Sequence, residues 1–394
     1  MTVRITGLAL VFACLLAVPS SADAARGMRV AVQDDSTLLF RAGEYIPIDT
    51  AYRRIRAMRA SLVRMNILWG YTVTDSQRRL KSKPRNVAYD WAPYDRAITN
   101  ARQRGMKVLL TLTGPGPAWA TPKNRLSKGY FKPNVRYFKQ FVKAAVRRYR
   151  GQVKLYSIWN EPNWHKWLSP LRQGPMRYRK LYQAGYRTIK RQAPRARVLL
   201  GETSPNAQPG IATAPLKFLR KMTCLKGNYR KKRSARRRCR SPLRADGVAH
   251  HPYDFTHSPW TNPRGRDDVT IANLGRLNRA LKKMRRRRAL IPRRTRKMPV
   301  HLTEFGYHRS GYRKVPERRR ARWEVAAFKI ARKNPRVQTM LHYVFVRPPG
   351  ERFFDLSLLD TDGSTTRTYR KLSGWGRHAA RKRQIARPAR WRAG

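Results

Sequence analysis

Residues 154–163 read KLYSIWNEPN. From Leu155 to Trp159 the side chains are mostly apolar or aromatic, without the strict alternation of a half-exposed strand. A strand of that kind is buried on both faces, as in a parallel sheet covered by helices. The run then stops at Asn-Glu-Pro-Asn, so a carboxylate, Glu161, stands where a buried strand ends.

The same unit recurs on either side. Continuous apolar runs at Met28–Asp35, Leu62–Trp69, Lys107–Gly114, Lys154–Trp159, Arg197–Glu202, Asp246–Tyr253, Pro299–Phe305 and Gln338–Val346 predict eight strands. Between them, helical spacing predicts helices at Ala51–Met58, Ala92–Gln103, Pro133–Tyr149, Arg177–Gln192, Thr270–Arg286 and Arg318–Arg332, with a last one from about Tyr369. Gly105 reads as a C-terminal cap, and Pro194 as a stop. Eight buried strands alternating with helices favour an α/β fold closed as a (β/α)8 TIM barrel, a single catalytic domain. No GxGxxG follows the first strand, which argues against a doubly wound dinucleotide fold.

Barrels of this type carry their chemistry at the C-terminal strand ends. Two of those ends hold a glutamate among aromatic residues: Glu161 in WNEPN and Glu304 in HLTEFGY (301–307). The chain has only 21 acidic residues, so this placement is informative. Two carboxylates flanking one bond suit hydrolysis of a glycosidic linkage. One donates a proton to the leaving oxygen, and the other attacks the anomeric carbon or activates water. Glu202 ends strand five as a rival carboxylate and reads as a rim or salt-bridge residue.

WNEPN with HLTEFGY 143 positions later resembles glycoside hydrolase clan A, the retaining barrel glycosidases, and within it the β-xylosidase and cellulase-like families. VRMNILW (63–69), HHPY (250–253) and LLDTDGS (358–364) fit the same likeness, which covers the barrel. The resemblance implies Glu161 as acid/base and Glu304 as nucleophile. It implies that Asn160 bonds the sugar hydroxyl beside the anomeric carbon, that Arg64 holds the nucleophile ionised, and that Tyr253 bonds Glu304 with His251 on the same rim. It implies no cofactor and no metal. His250 and His251 are neighbours on a strand and point to opposite faces, which makes a shared metal awkward. The chain departs from the clan at strand eight, where Tyr343 and Phe345 stand in place of a tryptophan. It departs again after strand three, where Thr113-Gly114-Pro115 stands where many cellulases carry a histidine.

Aromatic residues at or after strand ends form a second group: Trp69, Trp119, Trp164, Trp167, Trp260 and Tyr307, with Phe345. Flat C–H faces of sugars stack on such rings, so the group predicts a carbohydrate cleft. Core packing is the competing reading for each one.

The termini and the charge complete the picture. Residues 1–24 read as a signal peptide, with Arg4, an apolar run from Gly7 to Val18, and Ser-Ala-Asp-Ala at 21–24. The expectation is therefore a secreted protein, with the barrel over 27–378, a basic insertion over 224–244 and a basic tail over 379–394. Cys224 and Cys239 remain after cleavage and predict a disulfide, with no nearby histidines for zinc. The net charge is +68. It is spread over the chain with no nucleic-acid motif, and reads first as a solvated arginine-rich surface. The functional alternative is adhesion to an acidic polysaccharide or another polyanion, and a catalytically weak barrel acting as a basic binding protein is the second reading of the whole chain.

Overall fold

The computed structural model describes residues 27–391, apart from 236, 312 and 351–353. The signal-peptide reading of 1–24 lies outside the described residues.

Eight parallel strands close into a barrel. They are β1 (Arg29–Gln33), β2 (Ala60–Leu68), β3 (Lys107–Thr113), β4 (Leu155–Ile158), β5 (Arg197–Thr203), β6 (Gly247–His250), β7 (Val300–Leu302) and β8 (Val337–Tyr343). Each pairs with its sequence neighbours, and β8 closes the ring on β1, with Gln33 opposite both Tyr343 and Arg64. Outside them lie α1 (Ile48–Ala57), α2 (Ala92–Gln103), α3 (Val135–Tyr149), α4 (Gly174–Gln192), α5 (Pro215–Met222), α6 (Leu274–Arg286), α7 (Glu317–Lys333) and α8 (Arg367–Arg381).

Local chemistry explains the helix bounds. Asn134 caps α3, its side-chain oxygen accepting from the backbone N–H groups of Arg136 and Tyr137. The apolar face of α3, with Phe138, Phe141, Val142, Ala145 and Val146, is wholly buried against the sheet. Each large side chain there contributes about 2 kcal/mol of transfer free energy. Gly105 follows α2 in the left-handed region, φ +72°, as a helix-ending glycine does.

Three features differ from the sequence reading. α5 went unseen because it is only eight residues long and runs into the basic insertion. A small parallel pair, Leu243–Ala245 with Leu290–Pro292, lies outside the barrel. The final helix continues to Arg381, past the expected boundary at 378, and the tail beyond it packs on the barrel. The disulfide Cys224–Cys239 is formed and closes the insertion.

The barrel interior changes character along its axis. Its apolar plug consists of Ala31, Leu62, Leu109, Leu199, Ala249 and Leu341. Two residues further along five of these six strands, the same inward parity brings Gln33, Arg64, Thr111, His251 and Tyr343, and on β5 it brings Gly201. The period of two therefore builds a polar floor on an apolar plug, at the C-terminal mouth.

Candidate active site

Arg64 occupies the centre of that floor and is fully buried. Its Nη1 donates to Glu304 Oε1 at 2.7 Å, and its Nη2 donates to Asn160 Oδ1 at 2.7 Å. Its Nε donates to Thr111 Oγ1 at 2.9 Å and to Glu202 Oε1 at 3.2 Å. Nη2 also pairs with Glu202 Oε2, and Nη1 with Gln33 Oε1. Thr111 passes its own hydroxyl proton to Glu202 Oε1, 2.9 Å away. A planar fork with five N–H donors meets this set of acceptors as a single lysine ammonium would not.

Glu161 and Glu304 lie close together beside this cation, both nine-tenths buried or more. His251 lies between them, its Nδ1 3.0 Å from Glu161 Oε1 and 3.5 Å from Glu304 Oε2. One oxygen of each glutamate and one nitrogen of His251 all fall within 4.8 Å of one another. The Tyr253 hydroxyl donates to Glu304 Oε2 at 3.0 Å. The sequence reading thus placed Arg64, Asn160, Glu161, His251, Tyr253 and Glu304 in one cluster, and the structure brings these six together.

The two carboxylates sit in different fields. Burial raises the pKa of Glu161 well above the usual carboxyl range, and the charge of Glu304 raises it further, against a smaller pull from Arg64. Burial also raises Glu304, but the adjacent Arg64 guanidinium holds it down, to about 7. The guanidinium thus favours the ionised form at Glu304 through a direct hydrogen bond that Glu161 lacks. Burial and Arg64 together push His251 well below its ordinary value, so its imidazole is neutral. The triad Glu161, His251 and Glu304 has the donor types for a divalent cation, yet Arg64 already puts a fixed positive charge against Glu304, which opposes a second cation.

The backbone at these strand ends is unusual. Trp159, Glu161 and Glu202 all have positive φ, at 68°, 35° and 60°. Such conformations in non-glycine residues cost about 1–3 kcal/mol each and concentrate at functional sites. The Glu161 amide donates to the Glu202 carbonyl at 3.0 Å, which ties the ends of β4 and β5 together.

Of the two readings offered for Glu202, rim or salt bridge, the structure shows the salt bridge, with Arg64 and fully buried in the floor. The register shift after Gly201, itself at φ +114°, turns it inward. Gln33 and Thr111 were missed, and strand parity with Arg64 would have found them.

Most of the expected aromatic wall is core. Trp69 is fully buried against Trp119, Phe138 and Phe141. Trp119 is buried and spends its indole N–H on the Gln77 carbonyl. Tyr307 is buried between Phe305 and Trp323, and Phe345 packs outward on Tyr369. These four cannot stack on a ligand. Trp164 and Trp167 are half-buried just past Glu161, and Trp260 is exposed. The rings beside Tyr253 include Phe255, stacked at 4.7 Å, Phe305 and Phe354, and Tyr343 in turn packs on Phe354. Of the two strand-eight residues, Tyr343 is the one facing the site.

No curated protein matches the chain. Among solved structures it is similar to a family 39 glycoside hydrolase from Bacteroides cellulosilyticus WH2, at TM-score 0.61 and 16% identity, covering 90% of this chain and 64% of that one. A GH5_18 protein from Streptomyces cattleya, solved in complex with GlcNAc, gives TM-score 0.60 and 17% identity, covering 92% and 83%. Xylanase B from Clostridium stercorarium F9 gives 0.55 and 13%, covering 90% and 99%. At these identities the likeness speaks for the fold. The family profile described as Cellulase (glycosyl hydrolase family 5) matches residues 24–342. That match spans most of the sequence, and the chain belongs to glycosyl hydrolase family 5.

Proposed function

We propose that this protein is a secreted retaining glycosidase that hydrolyses O-glycosidic bonds by double displacement. The carrying observation is the carboxylate pair: oxygens of Glu161 and Glu304 within 4.8 Å, with the two groups holding their protons unequally. Retaining enzymes place their carboxyls about 5–5.5 Å apart, whereas inverting ones need about 6.5–9.5 Å to admit a water.

The geometry supports these roles. Ionised Glu304, oriented by Arg64 and Tyr253, attacks the anomeric carbon. Glu161 gives its proton to the departing oxygen. Esterification removes the Glu304 charge that raised the pKa of Glu161, so Glu161 becomes a base able to activate the incoming water. Asn160 accepts from Arg64 through Oδ1, which turns its amide N–H group toward the sugar hydroxyl. His251, neutral, holds Glu161 in place, and Tyr343 supplies the stacking face. Export rests on the N-terminal sequence and on the disulfide, a bond of oxidising compartments. A carbohydrate substrate follows from the family; its polysaccharide or oligosaccharide nature is part of the proposal.

The test is a digestion screen on neutral and acidic glycans, with proton NMR of the first product formed. The anomeric configuration of the substrate should be kept. Inversion would contradict the mechanism, and absence of hydrolysis across the panel would contradict the function.

A further inference from the structure

At the end of the barrel opposite the carboxylates, the chain builds a second cavity of about 920 Å³. Its walls come from the starts of β1, β2 and β3, the end of α2 and the C-terminal tail. Six cationic residues line it, Arg29, Arg102, Lys107, Arg383, Arg387 and Arg390, and no lining residue is acidic. We infer that this cavity is a binding site for a ligand carrying several phosphate groups, separate from the catalytic mouth.

The cavity is built, and is more than a stretch of basic surface. Ile385 pairs with Met28 beside β1, and the Ala386 amide donates to the Met28 carbonyl at 3.1 Å. Arg56 Nη1 bridges the carbonyls of Arg104 and Ala389, at 2.8 Å each. Trp391 then lies under the guanidinium groups of Arg56 and Arg104. Two glycines make room for the approach. A Cβ on Gly105 would stand 2.6 Å from the Ala389 carbonyl oxygen, and one on Gly27 would stand 2.6 Å from the Gln384 backbone. The tail backbone is thereby fixed across the starts of the strands, and the Arg387 Nη2 donates to the Ala380 carbonyl at 3.1 Å.

The second observation is the make-up of the cation set. Five of the six cations are arginine, whose forked donors fit phosphate oxygens in pairs. The volume and the number of cations exceed what one phosphate needs. The ligand class is therefore a run of phosphates, whether free polyphosphate or the phosphate groups of a phosphorylated glycan.

The test uses the full chain and calorimetric titration with inorganic tripolyphosphate, repeated with a phosphodiester-linked glycan polymer, at two salt concentrations. One site per chain is expected. The double variant Arg383→Gln/Arg390→Gln should weaken tripolyphosphate binding about tenfold or more, about 1.4 kcal/mol. A control pair in the basic insertion, Arg237→Gln/Arg238→Gln, removes the same charge and should leave binding unchanged. Equal losses in the tail and control variants would overturn the site, since binding would then follow net charge alone. Loss with tripolyphosphate but none with the polymer assigns the free anion as ligand; loss with both assigns the polymer as well. Equal competition by double-stranded DNA in wild type and tail variant places nucleic acid elsewhere on the surface.

Discussion

Arg64 Nη1 lies 2.7 Å from Glu304 Oε1, with both groups buried and Glu202 closing the other side of the guanidinium. This one cation serves two anions and orients Asn160 as well, so the site depends on it more than on any other neutral or charged neighbour. Arg64→Met leaves two buried carboxylates uncompensated. We expect a loss of about 3–5 kcal/mol of stability and at least about 100-fold in kcat/KM. Arg64→Lys should recover part of the stability and little of the activity, because one ammonium cannot serve the whole acceptor set. Urea unfolding and steady-state kinetics measure the two.

The pH dependence carries a definite sign. The proposed mechanism needs Glu304 ionised, and burial raises its pKa to about 7, so kcat/KM on a neutral glycoside should rise as pH climbs through that region. Activity should fall again at higher pH, as Glu161 loses its proton. In Glu304→Gln the charge that raises Glu161 is gone, so the Glu161 pKa should fall, which carbon-13 NMR of the labelled carboxyl can follow.

Stability should move in step. The ordinary glutamate value is 4.5, and folding raises Glu161 well above it. Between those two values the native state binds more protons than the unfolded chain, so this group's contribution is full below about 4.5 and is lost as pH rises through the folded value. Glu161→Gln should therefore be more stable than the wild type at pH 8, with the difference vanishing near pH 4. Unfolding midpoints across pH measure it.

Tyr343 and Phe345 separate binding from packing. Tyr343→Ala should raise KM with little change in melting temperature. Phe345→Ala should cost about 3–5 kcal/mol of stability and leave KM nearly unchanged.

The disulfide closes a 15-residue separation. Its removal by Cys224→Ser/Cys239→Ser should lower stability by about 3 kcal/mol in the chain-entropy picture. Melting with and without reductant checks this, since reductant should shift the wild type only.

Much of this was legible from the chain alone. A barrel strand is buried along its length, so an unalternating apolar run such as KVLLTLTG announces itself, and eight of them leave few architectures. Glu161 and Glu304 stood out because acids are scarce here and both end such runs. The choice between rim and salt bridge for Glu202 stayed open because its direction depends on a bulge at Gly201, and a local register shift has no clear sequence signature. The aromatic wall was misread because position after a strand does not fix facing. Trp69 and Tyr307 turn into the layer between sheet and helices, while Phe255 and Phe354 reach the mouth from loops. The docking of the tail depends on contacts more than 300 residues apart, such as Arg56 with Ala389, and no local pattern encodes them.

The most direct test is covalent trapping. A 2-deoxy-2-fluoro glycoside with an activated leaving group, matched to a sugar that the enzyme hydrolyses, slows breakdown of the glycosyl-enzyme more than its formation. Peptide mass spectrometry should then find one sugar attached, on Glu304. A label on Glu161 or Glu202, or full turnover of the wild-type substrate by Glu304→Gly without added azide, would contradict the assignment.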